Sequence, residues 1–542
     1  HYEHLCEAMA QLVQLAYDEY GGTQLADEVL RDIAAKSFSS VHDKSGPKNT
    51  ARFLVRLSQL APKALLRQMG LLIRHLDSEA HIMRSAMSDV IGHLMLYLAA
   101  QEEQTEITKN QIGEYFDIIE QRFQDAHYLV RAKVLQVCQF VCSGPAKFPK
   151  RRPKLVGLIV GRLEDKATNV RKHAIRALSV MLETHPFSLD GAELRVERLE
   201  ASLEKITDEL AEMTAQTAKQ SAKFSVAEAS ESADEDDEDK DSDDEEKDDD
   251  ATATGEDAQE NGPDFDNAGL SPETAAKAMH LQFQQRYYRD ALYFVYQLQE
   301  AQPILLQLLG STNKGEVIEA MDYFVSAVRF RVDGAQEGIR RMSHLVWTPS
   351  TSATDGSTEE TRGVRAKLLD SYMQLYLTPS DRLSVSENTS RITRNLISLT
   401  FGATLAELTS LEELIRTLMS EDKIGALVVD KLRSVYAYTK QQLPQAQRRG
   451  AIIILGMLAQ ASRAIVTDDI DMYLRIGLGA YGHEDLVLAK YTCMILQCLG
   501  SSRAKRPGQA PGQEEEIKRL PMTNPIFDGL QRILEEPRRD PE

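Results

Sequence analysis

One helical pattern recurs along the chain, and it constrains the fold more than any other feature. In its most regular copy the apolar positions are offset by zero, four, seven, eight and eleven residues, which places them in one stripe along an α-helix. These positions are Val170, Ala174, Ala177, Leu178 and Met181. An arginine, Arg171, follows the first position directly, and an acid, Asp165, precedes it by five residues.

Two further copies lie upstream with the same spacing. Their polar, apolar and arginine positions are Ser78, Met83 and Arg84 in one copy and Asp125, Val130 and Arg131 in the other. A fourth copy is expected at Ala489, with Lys490 as its basic residue. The three arginines are 47 and 40 residues apart, which fits the two-helix HEAT or armadillo unit of about 40 to 47 residues.

The copies at Met83 and Val130 are each preceded by another amphipathic helix, so the predicted unit is a helix, a short turn and a second helix. One such hairpin cannot bury its apolar face alone, and neighbouring hairpins must stack. The sequence therefore predicts an all-α fold, an α-solenoid of HEAT repeats; the alternative is a set of unrelated amphipathic helices. We expect the Asp or Ser to accept from free amides at the helix start, and the arginine to reach an acid of the next unit.

A highly acidic segment interrupts the helical pattern. Residues 231–250 contain fifteen carboxylates and two lysines, a local charge of −13 within a net charge of −20. Such a segment repels itself and offers no apolar surface to bury, so it predicts disorder. The predicted divisions are a first array at 1–190, a long amphipathic or coiled-coil-like helix at 191–222, a disordered acidic loop at 223–270, a second array at 271–500, and a basic, Pro- and Gly-containing loop with a terminal helix at 501–542.

Several function classes find no support in the sequence. There is no apolar run of the roughly 20 residues needed to cross a bilayer, no phosphate-binding glycine loop and no metalloprotease or nucleophile-elbow motif. We therefore expect no enzymatic activity, no cofactor and no small-molecule substrate. Cys138 and Cys142 share a helix face, and a buried thiol pair is favoured over a metal site. The chain opens with His1 inside a helical pattern, so we expect a piece of a longer polypeptide.

The densest basic cluster is the segment KFPKRRPK, which the sequence places before a helix of the third unit. Its two prolines predict an extended segment, and a closed hairpin would bring it near the arginine stripe of that unit. The candidate DNA-binding residues are Lys147, Lys150, Arg151, Arg152, Lys154, Arg171, Lys172 and Arg176. Together they would neutralise several phosphates without reading base sequence. The alternative is a solvated loop.

Three stretches resemble the condensin complex subunit 1 family, the HEAT-repeat regulatory subunits of condensin I. They are GRLEDKATNVRKHAIRALSVMLETHPFS, YLVRAKVLQVCQFV, and GEVIEAMDYFVSAVRF followed by GIRRMSHLVW. They lie on both sides of the acidic segment, whereas the insertion at 196–262 does not match. Members of that family are over twice as long as this chain.

The resemblance implies a non-catalytic scaffold that acts in mitotic chromosome condensation. It implies binding to the kleisin subunit, contact with the heads of the SMC ATPase, and binding to double-stranded DNA, in the nucleus and on chromosomes with a cytoplasmic pool. The turn containing Lys314 and Gly315 is a candidate for partner contact, and a plain interhelix turn is the alternative. A different function is a HEAT-repeat scaffold of the nuclear transport receptor or phosphatase type, without DNA contact; an ATPase or kinase flanked by HEAT repeats would need a nucleotide motif.

Four residues are candidate phosphorylation sites. Ser271, Thr348 and Thr378 each precede a proline, as a proline-directed kinase requires, and Ser242 lies among acids that suit an acidophilic kinase. Added phosphate would repel nearby DNA or order a loop against arginines.

Overall fold

The structure is a computed structural model that describes residues 4–39, 45–101, 105–188, 191–228, 272–348, 363–438, 443–499 and 521–535. Within these ranges the regular structure is helical, and no strand occurs. The fold class is therefore all-α, as the repeat predicts. In the same ranges no helix is both long and apolar enough to cross a membrane.

The helices before the acidic segment follow one another with short connections. They are α1 (Leu5–Tyr20), α2 (Gln24–Ala35), α3 (Ser45–Leu60), α4 (Pro62–Leu72), α5 (His81–Ala99), α6 (Glu106–Arg122), α7 (Tyr128–Ser143), α8 (Arg152–Val160), α9 (Thr168–Glu183) and α10 (Val196–Glu228). A 3-10 turn, Ile73–Asp77, separates α4 from α5.

The helices after the acidic segment begin with the longest described helix. They are α11 (Pro272–Leu308), α12 (Lys314–Arg329), α13 (Ala335–Ser343), α14 (Val364–Tyr372), α15 (Val385–Ser398), α16 (Leu405–Ser420), α17 (Ala426–Tyr436), α18 (Gln445–Ala459), α19 (Ala464–Thr467), α20 (Ile470–Gly477), α21 (Ala480–Glu484), α22 (Leu486–Gln497) and α23 (Pro525–Glu535). A 3-10 turn, His344–Trp347, follows α13, and a π-helix, Met373–Leu377, follows α14.

Residues 1–186 and 297–542 form one compact unit, and residues 187–296 form a second. In the first unit one row of helices runs through α1, α3, α5, α7, α9, α12 and α14, each packed on the next. Helices α2, α4, α6, α8 and α13 pack against this row and complete the hairpins. The core between them is apolar, and Val130, Val170 and Leu178 are fully buried. The α-solenoid of helical hairpins predicted from the sequence is the architecture of this unit.

The predicted polar positions cap the starts of the row helices. Oδ1 of Asp125 accepts from the backbone N–H of His127 at 2.8 Å, and Oδ1 of Asp165 accepts from that of Ala167 at 2.9 Å. The hydroxyl of Ser78 accepts from the N–H of Ala80 at 3.3 Å. These contacts satisfy amides that have no partner inside the helix, so this prediction is confirmed.

Each predicted arginine also reaches the next hairpin, and we call this series the arginine ladder. The guanidinium of Arg84 donates two hydrogen bonds to Asp125, at 2.9 and 3.0 Å. Arg131 binds Asp165 in the same way, at 2.8 and 2.9 Å. Burial raises the pKa of both carboxyl groups, but the arginine and backbone hydrogen bonds outweigh it, and the net pKa of each lies below its usual range.

The arginine ladder continues across the segment 187–296. Nη2 of Arg171, on α9, lies 2.8 Å from Oε1 of the fully buried Glu316, on α12. Nε of Arg176 donates to Glu319 at 3.1 Å, and Glu183 accepts from the hydroxyl of Ser326 at 2.8 Å. Helix α12 therefore takes the place of the next repeat helix beside α9, although 130 residues of sequence lie between the end of α9 and the start of α12.

The second unit is a pair of long antiparallel helices, α10 and the first part of α11. Gln285 donates to Thr207 at 3.2 Å, and Tyr296 donates to Glu200 at 2.6 Å, so positions later in α11 meet positions earlier in α10. The apolar positions of α10 that alternate three and four residues apart form the seam that a coiled-coil-like helix predicts: Val196, Leu199, Leu203, Ile206, Leu210 and Met213. All six are buried or half-buried, and Leu199 is 3% exposed. The partner of the seam is thus a helix of the same chain.

Three boundaries differ from the prediction. Helix α10 continues to Glu228, so residues 223–228, which were expected in the disordered loop, are helical; residues 231–250 lie outside the described residues. The helical spacing of the sequence predicts a helix at 274–300, but α11 continues through Pro303 to Leu308. The same spacing predicts one helix at 467–480, but this stretch holds the end of α19, the whole of α20 and the start of α21. Gly477 and Gly479 stand at the break between the last two, where an added Cβ at Gly479 would overlap the carbonyl of Arg475.

Candidate nucleic-acid interface

The basic segment between α7 and α8 is folded onto its neighbours. Phe148 has a left-handed backbone, with φ of 45°, and its ring packs edge-on against Phe116 of α6 at 5.0 Å. The backbone N–H groups of Arg151 and Arg152 donate to the carbonyl of Phe148 at 3.1 and 3.2 Å. The expectation that prolines keep this segment extended is wrong, because Pro149 lies in a turn and Pro153 in the first turn of α8.

Arg152 is fully buried and contacts no solvent. Its guanidinium donates to the carbonyls of Lys147 at 2.8 Å, Cys142 at 2.9 Å and Met181 at 3.0 Å, and to the hydroxyl of Thr184 at 3.0 Å. Cys142 and Met181 lie in the last turns of α7 and α9, where carbonyl groups carry the negative end of the helix dipole. Arg152 therefore joins two helix ends, and its assignment as a DNA contact is wrong.

Two other cations of the segment are paired with acids of α6. Nη1 of Arg151 lies 2.6 Å from Asp117 and 3.5 Å from Glu120. Nζ of Lys154 lies 2.8 Å from Glu120, while 63% of the Lys154 side chain remains exposed. These pairs fix the two side chains along α6 and partly neutralise them, so a phosphate would compete with carboxylates for both.

The predicted cations of α9 face α12. Arg171 pairs with Glu316, and Arg176 pairs with Glu319. Lys172, the third candidate cation on α9, has no described ion pair. Its aliphatic chain crosses the start of α12, where a Cβ at Gly315 would lie 3.4 Å from Lys172 Cδ. The neighbouring Lys314 is exposed. The structure thus brings together two groups that the sequence treats separately, the α9 cations and the turn at 314–315.

The sequence predicts that the segment 147–154 lies near Arg171, and the structure contradicts this prediction. Helices α8 and α9 are consecutive and packed on each other, and Arg152, at the start of α8, contacts Met181, near the end of α9. Ten residues separate Arg171 from Met181, which is about 15 Å along a helix. The candidate cations therefore form two clusters, a loop cluster at 147–154 and an α9 cluster with Arg171, Lys172 and Arg176.

Three lysines keep their charge available. Lys147 and Lys150 are exposed and Lys172 is half-buried, and none of them has a carboxylate within 4.0 Å among the described residues. The charge of Lys147 also acts on His185: burial and the cations Arg152 and Lys147 together lower the pKa of His185 to about 4. A surface with uncompensated lysines attracts phosphate.

The thiols Cys138 and Cys142 are buried side chains of α7. Burial raises the pKa of Cys138 well above its usual value and that of Cys142 to about 11. Both thiols are therefore protonated at neutral pH in this apolar environment. Across the residues that the structure describes, no group of three His, Cys, Asp or Glu side chains is arranged to hold a metal ion.

Sequence reasoning identified the cations but missed the acids that pair with them. Asp117 and Glu120 stand three residues apart on α6, and Glu316 and Glu319 stand three apart on α12. Acids at this spacing share a helix face, and the α6 pair precedes the basic segment 147–154 by one hairpin. That spacing was the available signal for the loop cluster, whereas the α12 pair is separated from the α9 cations by α10 and α11 and carried no such signal.

No protein-family model matches the chain. Curated relatives do match it. Condensin complex subunit 1 of Schizosaccharomyces pombe is 34% identical over 503 residues, which are 92% of this chain and 42% of that protein. Condensin complex subunit 1 of Saccharomyces cerevisiae is 31% identical over 537 residues, 95% of this chain and 45% of that protein. The chain thus spans less than half the length of these relatives. A crystal structure of importin beta covers 93% of this chain and 54% of its own, with 13% identity and a TM-score of 0.35, a value that adds nothing to the description of the fold.

Proposed function

We propose that this chain, which belongs to the condensin complex subunit 1 family, is a non-catalytic scaffold segment that binds double-stranded DNA without sequence preference. Its partners in this proposal are the kleisin subunit and the SMC ATPase heads, and its place of action is the nucleus and the chromosomes, with a cytoplasmic pool. The carrying observation is the set of uncompensated lysines, Lys147, Lys150 and Lys172, on a fixed array of helices.

The rigidity of the two clusters supports this proposal. The loop cluster is held by the buried Arg152 and the Phe148 ring, and the α9 cluster is held by two arginine–glutamate pairs. Lysines on such a support lose less freedom when they bind than lysines on a mobile loop. A sequence-indifferent contact needs charge at fixed places and no base-reading side chains.

The separation of the clusters also suits a duplex. Duplex DNA carries one negative charge per roughly 1.7 Å of axis, so about 15 Å of duplex presents roughly nine phosphates. The two clusters are about 15 Å apart along α9. One duplex would therefore meet both clusters at different phosphates, and each lysine would release counterions on binding.

Fluorescence anisotropy with a labelled duplex across a salt series tests the DNA proposal. Changing Lys147, Lys150 and Lys172 to Gln should weaken binding and reduce the slope of log K against log salt by about 2.7, at roughly 0.9 per phosphate contact. The matched control changes three exposed lysines on other helices and turns, Lys63, Lys423 and Lys431, with the same loss of charge. Equal affinity and slope in the two triple variants would overturn the assignment.

The kleisin and SMC contacts need a separate experiment because the relatives' names identify only the complex. Pull-down of purified kleisin and of SMC heads by this chain should retain each partner at physiological salt, and the triple lysine variant should retain the kleisin as well as the parent does. A Lys314→Glu variant tests the turn at 314–315, with loss of head binding expected. Failure of both partners to bind this chain would remove the scaffold role from this segment.

A further inference from the structure

We propose that Thr378 is a phosphate-acceptor site for a proline-directed protein kinase, and that Arg391 binds the resulting phosphothreonine and tightens the junction between the π-helix 373–377 and α15. This inference does not depend on the proposed function. Of the four phosphorylation candidates, Ser242 and Ser271 lie outside the described residues, and the proline after Thr348 does as well. Thr378 and Pro379 are both described.

Thr378 is presented in a form that a kinase can bind. It ends the π-helix with φ of −64° and ψ of 123°, an extended conformation, and both Thr378 and Pro379 are exposed. The Thr378 hydroxyl donates to the carbonyl of Met373 at 3.0 Å. This exposed hydrogen bond is the one described contact of the hydroxyl, and a kinase would have to replace it.

Arg391 stands beside this threonine with unused hydrogen-bond donors. Its Nη2 donates to the backbone carbonyl of Thr378 and lies 3.5 Å from Oδ1 of Asn388. Its Nε is buried and has no partner, and no carboxylate lies within 4.0 Å of it among the described residues. An arginine has five N–H donors in a planar fork that matches phosphate. Because the guanidinium already contacts the backbone of Thr378, a phosphate on the side chain of the same residue would lie close to its free donors.

The loop after Thr378 is already attached to α15, so a bound phosphate would strengthen an existing junction. Asn388 accepts from the N–H of Ser380 at 2.9 Å and donates to the carbonyls of Ser380 at 2.9 Å and Leu383 at 3.0 Å. Asp381 is exposed on this loop, and its carboxylate would repel a phosphate. Since Arg391 is partly buried and Asp381 is solvated, the arginine interaction should be the stronger.

The covalent step is ordinary phosphoryl transfer from ATP. The Oγ1 of Thr378 attacks the γ-phosphorus, the bond from that phosphorus to the bridging oxygen of ADP breaks, and the hydroxyl proton passes to a carboxylate of the kinase. The proline directly after Thr378 defines the kinase class. The product carries a charge of about −1.5 to −2 at neutral pH.

The experiment phosphorylates the full chain with a purified proline-directed kinase and ATP, and maps the site by mass spectrometry. Hydrogen exchange of residues 378–388 should then slow by roughly tenfold, as expected for charge-assisted hydrogen bonds. In ³¹P NMR the second phosphate pKa should fall below its usual value of about 6 because a neighbouring cation favours the dianion. Thr378→Ala should remove the signal, Arg391→Met should abolish both effects, and Arg394→Met, three residues along the same helix, should preserve them.

Two results would overturn the inference. One is phosphorylation of a synthetic peptide of residues 373–385 but none at Thr378 of the chain, since the site would then be inaccessible in the fold. The other is modification at Thr378 with unchanged exchange and an unshifted phosphate pKa. Should Arg391→Met fail to fold, the phosphate pKa of the parent protein still decides the matter.

Discussion

The buried arginine at the start of α8 offers the sharpest test of how this array holds together. Arg152 makes four hydrogen bonds, to three carbonyls and one hydroxyl, and no carboxylate of the described residues pairs with it. Burial lowers the pKa of its guanidinium from the usual value, which records the desolvation that those contacts must offset. The replacement Arg152→Met keeps much of the aliphatic packing and removes every one of these bonds.

The expected cost follows from the contacts. Hydrogen bonds to a charged group contribute about 1.5–3 kcal/mol each, so four give roughly 6–12 kcal/mol, and the desolvation of a buried guanidinium takes back several kcal/mol. Removing one member of a buried charged set costs about 3–5 kcal/mol in net terms. Since about 1.4 kcal/mol corresponds to tenfold, local opening of α8 and the end of α9 should increase by roughly 10² to 4 × 10³-fold.

Hydrogen exchange with mass spectrometry is the suitable assay because long repeat arrays do not unfold in one step. Peptides covering α7, α8 and α9 should lose protection in Arg152→Met, while peptides of α16 to α18 should not change. Arg151→Met is the matched control: its pair with the exposed Asp117 predicts a cost below about 1 kcal/mol, and the buried Glu120 keeps its pair with Lys154. Equal exchange in the two variants would refute the reasoning that Arg152 joins the helix ends.

Three more predictions concern the helix row. A double-mutant cycle of Arg131→Met and Asp165→Asn should give a coupling of about 1–3 kcal/mol by denaturation, and additive effects would contradict the arginine ladder. The pKa values of Asp125 and Asp165 are lowered in the folded state. The two carboxylates therefore stabilise the fold fully above their unfolded pKa of about 3.9, and this stabilisation is lost as the pH falls through their folded pKa values. Acid unfolding followed by circular dichroism should depend less on pH in the double variant Asp125→Asn with Asp165→Asn than in the parent. Gly338→Ala should destabilise by about 1–3 kcal/mol because a Cβ there would overlap a facing phenylalanine ring, whereas Gly70→Ala, in open space within α4, should be neutral or stabilising.

The sequence was sufficient for the repeated hairpin because its signals are local. Apolar spacing, the capping acid and the arginine one position off the stripe all lie within about twenty residues, and Arg131 reaches Asp165 as its place at the edge of the stripe predicts. The continuation from Arg171 to Glu316 was not predictable in this way. The two residues are 145 positions apart in sequence, and the acid stands in the first turn of α12 instead of before it.

The breaks between α19 and α21 show a different limit. The apolar spacing at 467–480 fits a helix, but the close approach of Gly477 to Thr492 and of Gly482 to the carbonyl of Gly477 sets the chain path. Tertiary packing against α22 decides the local structure there, and helix propensity alone does not predict such packing. The same holds for α11, which continues through Pro303 because it packs along its length.

The basic segment contains more cations than it can offer to a ligand, because its arginines are already bound to other groups of the protein. Arginine has a planar fork of five donors and lysine a single, strongly hydrated ammonium. In this region each arginine has a fixed structural partner: carbonyls for Arg152, acids of α6 for Arg151, and Glu316 for Arg171. The cations without a described ion pair are the lysines Lys147, Lys150 and Lys172. The arginines therefore build and position the surface, and the lysines supply the charge that a phosphate backbone would meet.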